Sequence, residues 1–423
     1  MRLSIRNARL IDPRAGIDRQ ADLHIAQGRI VARGAAPAGF EAEREIDASG
    51  SWVLPGLVDL AARLREPGHE YMATLDTELD AALAGGVTAL CCPPDTDPPL
   101  DEPGLVEMLK HRARLLDGAR VYPLGALSVG LRGEIITEMG ELSDAGCIGF
   151  AQPGQLVADL QLLLRAMQYA HTFGYTVWLQ PRDANIGRDG VAHAGPVASR
   201  LGLAAVPTIA ETIALNAIFD LVRETGCRVH LCRISSAAGV ELVRSAKAEG
   251  LPISADVAVH HLHLVDVDIG FFDSRYRVDP PFRSQRDRAA IRAGVRDGTI
   301  DVICSDHAPV DDDAKHLPFG EAEPGITGLE LLLPLTLKWA SEGGIAPLDA
   351  LRRVTIAPAE VAGIEAGTLE PGAVADVCIY APDEPWLVGR SNLRSQSVHT
   401  PYLGLEMVGR VRQVLVSGRL VGE

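Results

Sequence analysis

The chain has 423 residues, 47% of them hydrophobic, and a formal net charge of −16. That length accommodates one large α/β barrel plus a smaller satellite unit, with ample material for a core. The acidic balance argues against nucleic acid or an anionic membrane surface as a partner. Seven cysteines are scattered without a CxxC pair and read as small buried hydrophobes in a reducing compartment. The segment Met1–Arg6 alternates like a strand and lacks a signal-peptide core, and no apolar run approaches the roughly 20 residues of a membrane span. A cytoplasmic protein is expected. Only Lys110, Lys247, Lys315 and Lys338 are lysines among 40 basic residues, a bias that fits a GC-rich coding sequence better than a working surface.

In chain order, Leu3–Ile5, Asp22–Ile25 and Ile30–Ala32 read as strands, the last two joined by the turn Ala26-Gln27-Gly28-Arg29. Apolar β-rich runs then alternate with helical patterns. The strands are Val53–Leu57, Val87–Cys92, Arg120–Leu124, Cys147–Ala151, Thr176–Leu179, Arg228–Cys232, Pro252–Val257 and Thr299–Cys304. Helical stretches between them include Leu105–Leu116, Ala158–Thr172, Ala210–Thr225 and Gly239–Glu249. Near the end, Ala375–Tyr380 and Arg412–Val416 are strand-like again. The pattern predicts an α/β protein: a (β/α)8 TIM barrel over 53–365, with a small β-sandwich built from both chain ends, 1–52 and 366–423. A doubly wound open sheet is the structural rival, but no GxGxxG follows the first strand and eight near-even units favour closure.

Chemistry in such a barrel sits at the C-terminal strand ends. The segments there are Asp59-Leu60-Ala61-Ala62-Arg63-Leu64-Arg65-Glu66-Pro67-Gly68, Pro93-Pro94-Asp95-Thr96, Val278-Asp279-Pro280-Pro281-Phe282-Arg283-Ser284 and Ser305-Asp306-His307-Ala308-Pro309. The likeness continues through Lys315, Pro318-Phe319-Gly320 and Leu332-Leu333-Pro334-Leu335 to His399-Thr400-Pro401-Tyr402. In order and spacing the chain resembles the dihydroorotases of the amidohydrolase superfamily over essentially its whole length.

The resemblance implies a zinc site with paired histidines after strand one, an acidic or carbamylated-lysine ligand on strand four, single histidines on strands five and six, and an aspartate on strand eight. Here the paired positions are Ala61 and Arg63, and the strand-four segment Gly149–Gly154 offers neither Asp nor Lys. The strand-five and strand-six positions are Gln180 and Arg233, leaving Asp306 alone, followed by His307. A methyl group cannot ligate a metal, a guanidinium repels one, and a zinc site needs at least three protein donors. His261 and His263 have the spacing of a metal pair on one strand face, without an evident carboxylate partner; satisfied strand-end histidines are the competing reading.

Cyclic amide hydrolysis near neutral pH needs the activated water and polarised carbonyl that zinc supplies. No cofactor and no active catalytic residue are therefore expected, Asp306 and His307 being vestigial. Arg65 matches the family's carboxylate-binding arginine, whereas Asp95 and Asp279 replace the asparagines expected around the substrate and disfavour an anionic one. Arg65 is otherwise expected to pair with Asp95 or Glu66, and Arg63 or Arg233 to move against Asp306. The resemblance implies a non-catalytic dihydroorotase-like subunit, a structural or regulatory partner of the aspartate carbamoyltransferase catalytic chain in pyrimidine biosynthesis, within a homo- or hetero-oligomer. Two alternatives stand beside it. One is an active, divergent metal-dependent cyclic amidohydrolase of dihydroorotase, hydantoinase or allantoinase type. The other is a sensor that binds a pyrimidine or carbamoyl intermediate in the vestigial pocket.

Overall fold

The structure is a computed structural model that describes residues 2–422. Met1 and Glu423, the outermost residues of the expected β-rich unit, lie outside the described residues. Eight parallel strand positions alternate with helices: β1 (Leu57–Asp59), β2 (Val87–Cys92), β3 (Arg120–Pro123, continuing as Gly125–Ala126), β4 (Phe150–Gln152), β5 (Thr176–Leu179), β6 (Arg228–Leu231), β7 (Ile253–Ala258) and β8 (Val302–Cys304). Val87–Cys92 is buried at every position, as expected of a parallel strand covered on both faces.

The ladder runs in two arcs, β1-β2-β3 and the second half of β3 through β4, β5, β6 and β7 to β8. At one junction Leu124 N–H donates to Cys92 O at 2.9 Å and Gly125 N–H to Gly149 O at 2.9 Å. At the other, His307 N–H donates to Ala61 O at 3.0 Å and Arg63 N–H to His307 O at 2.9 Å. The backbone of Ala61 and Arg63 thus helps join β1 to the chain beyond β8.

The β-rich unit is a single eight-stranded mixed sheet in which Trp52–Pro55 connects the N-terminal strands to Val377–Leu387. Ile30 N–H donates to Ala373 O at 3.0 Å and Ala375 N–H to Gly28 O at 2.9 Å, so the sheet margins meet around an apolar cluster that includes Leu3, Ile5, Leu23, Ile25, Val53, Val377 and Leu415. Gly28, at φ +74°, leaves no room there for a side chain, because a Cβ would stand 2.8 Å from Ser417 O. The expected strand Val53–Leu57 is divided: Gly56, packed against Thr88, separates a sheet strand from the true β1. A single apolar run contains both, so sequence pattern alone joins them. β4 and β8 are likewise shorter than expected.

The four helices expected above appear as Pro103–Leu115, Leu160–Phe173, Ile209–Thr225 and Ala237–Glu249. Their boundaries follow local chemistry, with Ser236 capping Gly239 N–H at one start and left-handed glycines at three of the four ends. All seven cysteines are buried and free. No described helix is long and apolar enough to cross a membrane.

Candidate functional site

Ser305 sets the geometry at the C-terminal rim. Its hydroxyl donates to Asp59 Oδ2 at 2.5 Å and its N–H to Asp59 Oδ1 at 2.7 Å, locking the end of β8 to β1. The next residue, Asp306, sits at φ +46°; Arg233, after β6, is at +56° and Arg65, after β1, at +61°. Left-handed backbone costs a non-glycine residue roughly 1 kcal/mol or more, and three cases on one rim mark a place whose shape is imposed by its surroundings.

Two guanidinium groups converge on Asp306. Arg63 Nη1 lies 3.6 Å and Arg233 Nε 3.7 Å from Asp306 Oδ1, and Arg63 Nε donates to Asp95 Oδ2 at 2.7 Å. Side-chain exposure is only 17% for Arg63, 5% for Arg233 and 11% for Asp306, so these charges answer chiefly to one another. Burial pushes the Asp306 carboxyl above its usual range, and the charges of Arg233 and Arg63 oppose it. Burial acts the same way on Asp95, but there the Arg63 charge and hydrogen bond prevail and hold it below the usual range. Asp279 is occupied in parallel by Arg182, Nη1 to Oδ1 at 2.7 Å.

Arg65 is bound neither to Asp95, which Arg63 takes, nor to Glu66, which forms an ion pair with Arg112. Instead Arg65 Nε donates to Pro309 O at 2.8 Å, and burial followed by the neighbouring Arg63 charge pushes its guanidinium down. The side chain that resembles a substrate clamp is thus turned onto the backbone beyond Asp306.

Gln180 accepts from Gly154 N–H at 3.3 Å through its carbonyl, and its buried amide nitrogen has no hydrogen-bond partner among the described residues. It lines, with Arg182, Arg233 and Asp279, a cavity of about 10 Å3, roughly the least that holds one water. On β4, Gln152 accepts from Ser128 Oγ at 2.9 Å and donates to Leu131 O at 2.8 Å. Ala61 is fully buried and offers no donor. These residues do not fit a zinc ion: Ala61, Arg63, Arg233 and Gln180 present a methyl group, two guanidiniums and an amide, with the Asp306 carboxylate flanked by both cations.

His307 is structural in its contacts. Its Nε2 bonds Glu78 Oε2 at 2.6 Å, its Nδ1 accepts from Gly328 N–H at 3.1 Å, and both side chains are wholly buried. Burial works against the Glu78 charge, but His307, Ser395 and the Gln396 N–H hold the carboxyl below its usual range. The expected shared face for His261 and His263 is not formed, because Val259–Leu262 is a 3-10 turn. His261 packs against Phe282 with ring centroids 5.0 Å apart, and a His263 ring nitrogen meets Leu335 O at 3.0 Å. Burial pushes each imidazole down to about 4.

Sequence reading missed two arrangements. Glu78 interrupts the apolar stripe of Leu75, Leu79 and Ala82 on its helix, which is the one signal that it faces inward. Deeper in the barrel, the ligand atoms of His230, Cys232 and Asp256 lie within 4.8 Å of one another. His230 already bonds Ser254 Oγ at 2.8 Å and Asp256 Oδ2 at 3.0 Å, Asp256 accepts the Arg233 N–H at 2.5 Å, and burial pushes the Cys232 thiol up to about 12. The trio is an internal hydrogen-bond relay with its donors committed.

This architecture and rim are those of an amidohydrolase-type α/β protein. Residues 50–238 match the Dihydro-orotase-like family and residues 156–422 the Amidohydrolase family. A "Dihydroorotase-like protein" of Pseudomonas aeruginosa is 44% identical over 423 residues, covering 100% of both chains. A "Dihydroorotase" of Pelobacter propionicus is 38% identical, covering 100% of this chain and 99% of the relative. Among solved structures, the L-hydantoinase (dihydropyrimidinase) of Arthrobacter aurescens shares the fold at a TM-score of 0.88 and 24% identity, covering 100% of this chain and 96% of that one. The chain belongs to the dihydroorotase-like proteins of the amidohydrolase family.

Proposed function

We propose that this chain is a non-catalytic dihydroorotase-like subunit, a cytoplasmic structural and regulatory partner of the aspartate carbamoyltransferase catalytic chain in pyrimidine biosynthesis. One observation carries the reading: Arg63 and Arg233 stand at two metal-ligand positions and both lie against Asp306, at 3.6 and 3.7 Å. A divalent cation added there would face two fixed positive charges a few ångströms away, and Asp306, the carboxylate beside them, is flanked by both. Loss of the Lewis acid removes the activated water, and each factor of ten in rate corresponds to about 1.4 kcal/mol of barrier. A barrel free of catalytic constraint keeps its core and its outer faces for assembly. The partner's identity rests on the family resemblance alone.

The test is affinity purification of the tagged chain from its native extract, with both activities assayed in the eluate. Carbamoyltransferase activity without hydrolysis of dihydroorotate upholds the reading. Hydrolysis that a chelator and Asp306→Ala both abolish refutes it and establishes the second reading, an active cyclic amidohydrolase. That second reading draws its support from relatives described as dihydroorotases along their full length. Metal analysis separates the two, because the enzyme requires about one or two equivalents of metal per chain.

A further inference from the structure

The opposite, N-terminal face of the barrel holds a cavity of about 390 Å3 at the starts of β5, β6 and β7, beside the helix Ile356–Ala362. Its size lies in the range of small-molecule sites. Val229, Ile253, Ala357 and Val361 give it apolar walls, and Arg228, Arg352 and Arg353 bring three guanidinium groups to it in a chain whose net charge is −16. Their internal satisfaction is incomplete. Arg228 Nη2 donates to Gly174 O, Arg353 Nη1 donates to Asp301 O at 3.3 Å, and only Arg352 has a carboxylate, Glu360 at 3.3 Å. The remaining acid of the cavity, Asp301, is taken by Lys247 at 2.6 Å. Among the described residues, Arg228 and Arg353 therefore have no carboxylate within 4.0 Å. Thr176 also lines this space, and Ser254 is held there by its 2.8 Å bond to His230.

We propose that this cavity binds a phosphate group carried on a small apolar body. Three lining arginines offer more N–H donors than the two coplanar oxygens of a carboxylate can use, a number better matched by the three free oxygens of a phosphate monoester. The apolar walls suit the organic part of an ester. Barrel chemistry occurs at the other face, so the ligand is an effector and not a substrate. The assignment stands independently of the carbamoyltransferase reading, since neither depends on the other's residues.

The experiment is calorimetric titration of the full chain with phenyl phosphate and, separately, with inorganic phosphate. One saturable site per chain is expected. Arg353→Gln and Arg228→Gln should each weaken it roughly tenfold to a hundredfold, the worth of one charge-assisted hydrogen bond. Arg352→Gln alters a 45%-exposed side chain, so it tests the site without endangering the fold, and it should weaken binding in the same direction. Tighter binding of phenyl phosphate than of inorganic phosphate upholds the proposal, and equal binding overturns the role given to the apolar walls. Absence of saturable heat from either ligand up to about 10 mM overturns the proposal. So does an affinity that Arg352→Gln and a folded Arg353→Gln leave unchanged.

Discussion

Replacing Arg63 with methionine is the most direct test of how the rim is held together. The substitution keeps the volume of the stem but removes the cation between Asp95, at 2.7 Å, and Asp306, at 3.6 Å. Removing one member of a buried pair costs about 3–5 kcal/mol because the other charge is left behind. Asp306 retains Arg233 at 3.7 Å, so the loss falls at the lower end, about 3 kcal/mol. Asp95 bears most of it. Its carboxyl is held below the usual range in the folded chain, so it contributes stability above the unfolded value near 3.9 and loses that contribution as pH falls through the depressed folded value. The penalty of Arg63→Met should therefore be largest near pH 7 and shrink below about pH 4, where an unpaired Asp95 is protonated. Urea unfolding of wild type, Arg63→Met, Asp95→Asn and the double variant measures it through the midpoints. The double variant should recover part of the loss, giving a coupling of at least about 1 kcal/mol. A single-variant loss under about 0.5 kcal/mol, strict additivity, or a penalty equal at pH 3 and pH 7 would each refute the reasoning.

Prolonged dialysis against a chelator should leave the melting temperature within about 1 °C, since metal bound only to the folded state would have shifted it by mass action; a fall of many degrees means a structural ion is present. His307→Ala strands the wholly buried Glu78 carboxylate and should cost about 3 kcal/mol or more, seen as a drop in soluble yield and melting temperature. Glu78→Gln, which keeps a polar partner for the imidazole, should cost less than His307→Ala, and the reverse order would remove the His307–Glu78 hydrogen bond from the account. Lys315 gives a pH prediction. Its ammonium donates to the carbonyls of Arg277, Glu323 and Gly325 at 3.1, 3.0 and 2.8 Å, and burial, with the Arg277 charge, pushes it down to about 7. Between that value and about 10.4 the unfolded chain binds the extra proton, so the stability of wild type relative to Lys315→Met should rise as pH increases through this window. A flat difference from pH 7 to 10 contradicts it.

The approach of Arg63 and Arg233 to Asp306 was legible because it depends on residue type in a fixed frame, whatever the rotamers. Helices were legible for the same local reason, their caps and 3.6-residue stripes lying within a few residues of one another. What the sequence did not carry was the choice among partners. Arg63 and Arg65 are two residues apart, both within reach of acidic neighbours, and only the fold decides that Arg63 takes Asp95 while Arg65 turns to Pro309 O. That choice follows from the backbone, because Arg63 N–H is fixed by His307 O at 2.9 Å whereas Arg65 lies at φ +61°, so successive side chains leave the rim in different directions. The division of Val53–Leu57 at Gly56 and the turn that separates His261 from His263 have the same origin, a local conformation set by distant packing that an apolar run or a two-residue spacing does not encode. The closure at Ala61 and Arg63 adds a consequence for the family resemblance. Those positions join the strand ends through main-chain bonds that any side chain permits, so a methyl group and a guanidinium can stand there without opening the fold.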